Sequence, residues 1–368
     1  MTAQKNNLKE VASVFLKLGI IGFGGPAAHI AMMQDEIVKK RQWITEDHFL
    51  DLISATNLIP GPNSTEMAMH CGHERAGWKG LVVAGLCFVV PAVLITAGFA
   101  WAYKQYGDLP QVAPFIYGIK PAIIAIVLSV MIALGRKALK TTTLWIIGII
   151  CAIAALSGVN EMIVLFGAGA MGILFHSFST KRHTLKNALP LAATSPSALK
   201  IFWIFLKVGS LLYGSGYVLF GFLDGELVKT GLLTTKQLTD AIAVGQFTPG
   251  PVFSSATFIG WQMAGWPGAI AATVGIFLPS FLFVALLNPL IPRLRRSGIM
   301  SAFLDTVNVA SVAIILAVCV EMGKDSIHDW KAIVIAVISL SATLLFRNLN
   351  TAFIVLGGAI LGYLFYLV

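Results

Sequence analysis

Two Pro-Gly-Pro triplets, Pro60-Gly61-Pro62 and Pro249-Gly250-Pro251, interrupt apolar stretches of this 368-residue chain. Proline lacks a backbone donor and glycine reaches conformations closed to other residues, so a helix breaks at either triplet. In hydrocarbon the freed N–H and C=O groups must be met by protein or by a water-filled cavity. The first break opens a new helix near Asn63-Ser64-Thr65, three residue types suited to N-caps. A helix start gathers unpaired N–H groups at a positive dipole end, which suits an anion. Gly24-Gly25-Pro26, with Gly214 at the matching place in the second half, marks another point where a helix can unwind. The plainer reading of the glycines is close helix packing.

Few charges lie in the apolar stretches. Lys17, its counterpart Lys207, and Lys120 are cations that could offset an anion, or snorkel to the interface. Lys120 matches a neutral Asn308, so the halves contribute unequally. Glu36 and Glu226 end the first apolar run of each half and are the acids to test for proton coupling. Their plainer reading is an interfacial carboxylate paired with Lys39 or Lys229. Glu66 follows the first triplet and matches Ser255, so it has no acidic counterpart; His29 has no histidine counterpart and reads as a hydrogen-bonded structural group. His70-Cys71-Gly72-His73-Glu74 gathers ligand types but fits neither H-E-x-x-H nor its inverse, and no metal site or cofactor is expected. A phosphate loop, a nucleophile elbow and paired catalytic carboxylates are absent from the sequence, which argues against an enzyme.

The elements that hold these residues follow from composition and repetition. The chain is 57% hydrophobic and 12% charged, too poor in charge to cover a soluble core. Its net charge of +9 reads as cytoplasmic loops rather than nucleic-acid binding. The four scattered cysteines suggest no disulfide framework, and the polar start suggests no removable signal peptide. Phe15-Leu16-Lys17 returns as Phe205-Leu206-Lys207, the triplet returns, and Gly77-Trp78 returns as Gly265-Trp266. The chain is therefore a tandem duplication: residues 1–179, a cytoplasmic linker at 180–200, and residues 201–368.

If each triplet segment enters and leaves on one side, each half has an odd number of spans and the halves are inverted. Sixteen Lys and Arg then fall on one side and seven on the other. Equivalent loops swap basicity: Arg136–Lys140 is basic while its counterpart Lys324–Lys331 is balanced by Asp325 and Asp329. The positive-inside rule requires such a swap of inverted copies. The expected fold is an all-α polytopic membrane protein of about ten spans in two inverted-topology repeats, with discontinuous or re-entrant helices at the triplets.

Phe23-Gly24-Gly25-Pro26 with His29, Glu36, Trp43, Pro60-Gly61-Pro62-Asn63 and Gly77-Trp78-x-Gly80 resembles the chromate ion transporter family in its two-copy form. The resemblance implies a bacterial inner-membrane transporter that exports chromate and confers resistance, with sulfate as the near-isosteric competitor. The second copy departs from it, with Ser215-Gly216 for Gly25-Pro26 and Val252 for Asn63. The expected partners are a small oxyanion and membrane lipids, without nucleic acid; a homodimer is compatible with the sequence. The alternatives are another small anion such as sulfate or a carboxylate, or a flippase acting on a lipid phosphate.

Overall fold

The computed structural model describes residues 2–23, 25–107, 109, 111–177, 197–213, 218–287, 298–346 and 350–367. Gly24, Gly214, residues 180–196 of the expected linker and the basic residues at 293–296 lie outside them.

Every regular element among the described residues is helical. The first half runs α1 (Thr2–Ile21), α2 (Gly25–Met33), a π-helical turn (Gln34–Lys40), α3 (Glu46–Thr56), α4 (Asn63–Tyr106), α5 (Ala113–Ala138), α6 (Thr142–Leu156) and α7 (Glu161–Ser177). The second half repeats that order: α8 (Ala198–Leu211), α9 (Val218–Leu223), a π-helical turn (Asp224–Val228), α10 (Thr235–Phe247), a 3₁₀ turn (Val252–Ser254), α11 (Ser255–Leu287), α12 (Gly298–Ser326), α13 (Trp330–Leu345) and α14 (Thr351–Leu367). Helix α8 thus begins inside the stretch read as linker.

Matched residues make matched elements. Thr45 and Thr234 cap α3 and α10 through their side-chain oxygens, the latter in a capping box with Gln237. Helices α4 and α11 each contain one sharp bend with nearly the same backbone: Ala76 (φ −144°, ψ 23°) and Gly77 (φ 60°, ψ −152°), then Ala264 (φ −149°, ψ 26°) and Gly265 (φ 61°, ψ −148°). That second conformation is essentially reserved for glycine. The bend folds each short first arm against the longer one. A Cβ on Gly80 would come within 2.0 Å of the Gly72 carbonyl oxygen, and one on Gly268 within 2.1 Å of that of Gly260.

Among the described residues, four helices are long and apolar enough to cross a membrane: α4, the 3₁₀ turn with α11, α5 and α12. Helices α6, α7, α13 and α14 are apolar but shorter. Their outer faces carry exposed Ile149, Ile153, Ile333, Val337 and Ile360, a surface suited to lipid. The halves interlock: α5 packs on α12, α13 and α14, while α12 packs on α5, α6 and α7. Gly118 meets Gly358 and Gly362 where α5 crosses α14, the small-residue contact expected of helices packed in a bilayer. Apart from this group, α4 and α11 pack on each other, backed by α1 and α8.

Candidate substrate site

Each triplet forms the tip of a hairpin. Helix α3 descends to Asn57, the chain turns through Pro60-Gly61-Pro62, and the first arm of α4 returns. The Asn63 side-chain amide donates to Asn57 Oδ1 across the tip at 2.9 Å. At the far end, His48 at the start of α3 lies 3.4 Å from Glu74 at the end of that arm, so the segment returns to the level at which it began. The N-cap is Pro62, without a side-chain bond, and Asn63, Ser64 and Thr65 form the first turn. In the second half Pro251 plays this part for the 3₁₀ turn that precedes α11.

The two tips meet the breaks of the opposite halves. The Gly61 N–H donates to the Leu212 carbonyl at 2.8 Å, and the Gly250 N–H donates to the Gly22 carbonyl at 2.7 Å. Leu212 and Gly22 are equivalent residues, as are Gly61 and Gly250, so the pair of bonds is reciprocal. The first helix of each half ends at this point, α1 at Ile21 and α8 at Leu211. Gly25 takes φ +76°, starting α2 with Pro26 at its second position. His29 Nε2 sits 2.9 Å from the same Gly22 carbonyl, matching its reading as a hydrogen-bonded structural group. The triplets and their neighbours are close-packed: Pro60 to Pro62, Pro249 to Pro251, Ser64 and Thr65 are all buried. Both tip glycines have positive φ, +139° and +90°. A Cβ on Gly61 would fall 2.2 Å from Ser280 Oγ and 2.4 Å from Glu66 Oε1, while one on Gly250 would meet Ala92, the counterpart of Ser280.

The three candidate cations are each paired with a carboxylate. Lys17 Nζ is 3.5 Å from Glu36, and Lys207 Nζ is 2.8 Å from Glu226, the same pair made twice. Lys17 remains 54% exposed and helps line a cavity of about 320 Å³ with Met32, Asp35, Glu36 and Lys40. Glu36 also meets Lys40 and Arg41. Burial works to raise the Glu36 carboxyl, but the Arg41 hydrogen bond and the Lys17 and Arg41 charges hold it below the ordinary value. The partners read from sequence, Lys39 and Lys229, pair elsewhere: Lys39 with Asp35, Lys229 with Glu161 and Asp224. Lys120 reaches across the halves to Asp240 at 4.0 Å, with side-chain exposures of 14% and 5%. The Tyr103 hydroxyl donates to the same carboxylate. The side chains of the His70–Glu74 stretch diverge, with His70 buried and His73 edge-on to Trp78. Among the described residues no group of three or more His, Cys, Asp or Glu side chains is placed to hold a metal ion.

The sequence profile of the chromate transporter family matches the chain twice, over residues 9–173 and 199–363. The chain belongs to that family. Each match takes in one hairpin, one first-helix break and one Lys–Glu pair, so the family's unit is the half described above. A probable chromate transport protein of Synechococcus elongatus is 32% identical over 98% of this chain and 96% of its own length. The chromate transport protein of Cupriavidus metallidurans is 31% identical over 99% of this chain and 95% of its own. An uncharacterized transporter of Bacillus subtilis, YwrB, is 30% identical over 49% of this chain and 90% of its own, the size of a single half. No solved structure matches this member of the chromate transporter family.

Sequence reasoning missed two features of the site. Asp240 as the partner of Lys120 carries no local signal, since the two are far apart in the chain. Ser280 against the triplet is likewise invisible. Glu66 stands out in the sequence by lacking an acidic counterpart, and a lone carboxylate in an apolar segment is itself a signal.

Proposed function

We propose that this chain is a secondary transporter, not an enzyme, that exports chromate across the bacterial plasma membrane and so confers resistance. The observation that carries the reading is the reciprocal joint between the triplet tips and the helix breaks of the opposite halves. Each joint sets a hairpin tip of one half against a helix break of the other, and interrupted helices at a repeat interface are where transporters hold small charged substrates. Its position supports an anion site between the triplets. The N–H groups at the start of α4, around Asn63 to Thr65, and the Gly24-Gly25 segment would replace the water shell of a tetrahedral dianion. From the other half, the second triplet and Gly214 complete the set of residues proposed to line the site. Lys17 or Lys120 would offset part of the charge once its present carboxylate partner turns away.

The halves are inverted repeats, with the triplet hairpins re-entering the membrane from opposite sides. The basicity swap supports the inversion, and the return of the first hairpin to its starting level supports re-entry. With the N-terminus outside, about ten spans result. An inside-negative potential then favours outward movement of a dianion by about 2.3 kcal/mol per charge per 100 mV. Purified protein in proteoliposomes tests the reading. Chromate flux should exceed that of empty vesicles and fall when sulfate competes; flux indistinguishable from empty vesicles would remove chromate as the substrate.

A further inference from the structure

Glu66 lies one turn past the first triplet, and its side chain is fully enclosed, at 0% exposure. Neither carboxylate oxygen has a hydrogen-bond partner among the described residues, and the same holds for the hydroxyls of Thr65, Ser280 and Ser255. Ser280 lies against the carboxyl without a hydrogen bond of ordinary geometry. Tyr213, at the break of the opposite half, is close enough to feel a charge on Glu66. Several charges on the elements packed on α4 are engaged elsewhere. Lys17 of α1 is paired with Glu36, Asp240 of α10 with Lys120, and His48 of α3 with Glu74. Helix α2 presents His29, bonded to Gly22, and α3 also carries Asp51, on the exposed side. On its own helix, His70 stands one turn on, buried, with both ring nitrogens unpartnered among the described residues.

An isolated carboxylate in such surroundings is too costly to keep ionised, so it is held neutral. We propose that Glu66 is the proton-binding residue of this transporter, crossing the membrane protonated together with the anion. The inference rests on the anion site proposed above, because only there does Glu66 stand beside the substrate. A dianion at the tip would make ionisation of Glu66 costlier still, so anion and proton bind together, each favouring the other. The proton comes from water on the side where the tip opens, adds to a Glu66 oxygen, and returns to water on the other side once the anion has left. Ser255 stands at the equivalent position, so the second half has no such acid. Glu36 and Glu226 differ in having a cation against each.

The experiment uses the full chain in proteoliposomes with an entrapped pH indicator and the potential clamped. Radiolabelled sulfate and chromate serve as probes. In the wild type, an imposed pH gradient should drive net anion accumulation, and an anion gradient should move protons in the same direction. In Glu66→Gln the pH-driven accumulation should fall to the level of empty vesicles while anion exchange at equal pH is still measurable. Glu66→Asp, which keeps an acid, guards against misfolding of the amide variant and should retain coupling with a displaced pH profile. His70→Gln and Glu36→Gln should stay coupled. Wild-type anion flux that ignores pH, or unchanged coupling in Glu66→Gln, overturns the inference and leaves the anion site standing. Loss of coupling in His70→Gln or Glu36→Gln alone moves the proton to that residue. The absence of sulfate and chromate flux in the wild type instead removes the anion reading itself.

Discussion

At the scale of single residues, Lys120 shows how far a sequence can mislead by being right about cost. A lysine in an apolar stretch must have a reason to be there. The sequence suggests an anion; the structure supplies Asp240, from the other half, with Tyr103 as a second donor to that carboxylate. Two roles remain, and their variants separate them. Lys120→Gln leaves Asp240 without its cation and should cost about 3 kcal/mol of stability, at the low end for a buried pair because Tyr103 still donates. Combining it with Asp240→Asn should restore stability. If Lys120 acts only through the pair, the double variant also recovers anion flux. If Lys120 turns to the substrate during transport, stability recovers and flux does not. Thermal unfolding and vesicle flux on the same three proteins decide it.

At the scale of elements, the helix breaks were legible and the bends were not. Proline chemistry announces the triplets wherever the chain runs, and Gly25-Pro26 announces the start of α2. The bends at Gly77 and Gly265 have no such announcement: Gly-Trp occurs in many helices, and only the backbone reveals φ near +60°. The π-helical turns that hold Glu36 and Glu226 were equally invisible, because an extra residue in a turn leaves the apolar pattern nearly unchanged. Two predictions belong here. Around Gly77 and Gly265 there is open space for a Cβ, so alanine meets no clash and pays only in backbone strain, about 1–3 kcal/mol. The two substitutions should lower thermal stability by similar amounts, since the bends are the same; a neutral Gly77→Ala would mean that the bend is not held. Replacing Pro60 and Pro62 together with alanine should let helix continue across the tip and erase the start of α4. Anion flux should be lost with normal membrane insertion. The same change at Pro249 and Pro251 should be milder, because Val252 stands where the first half has Asn63. Full flux in the first double variant would sink the tip as a binding site.

At the scale of the whole molecule, the duplication was readable residue by residue, but the way the halves interlock was not. Sequence offsets pair Gly22 with Leu212 and Gly61 with Gly250; they do not say that each tip bonds to the other half's break. That reciprocity is two-fold, and a two-fold axis either lies in the membrane plane or stands along its normal. In the first case equivalent loops face opposite sides, and in the second they share one. The loops that distinguish these cases are the one ending α5, which carries Lys137, and its counterpart ending α12, which carries Lys324. Cysteine placed singly at these two positions in a cysteine-free background, and labelled in intact cells with an impermeant reagent, reads the axis directly. Lys324→Cys should label from outside and Lys137→Cys only after permeabilisation, because the basic loop is retained in the cytoplasm. Labelling of both from one side would rule out inversion and place both triplet hairpins on one face. The anion site would then be a vestibule rather than a mid-membrane site between opposed tips.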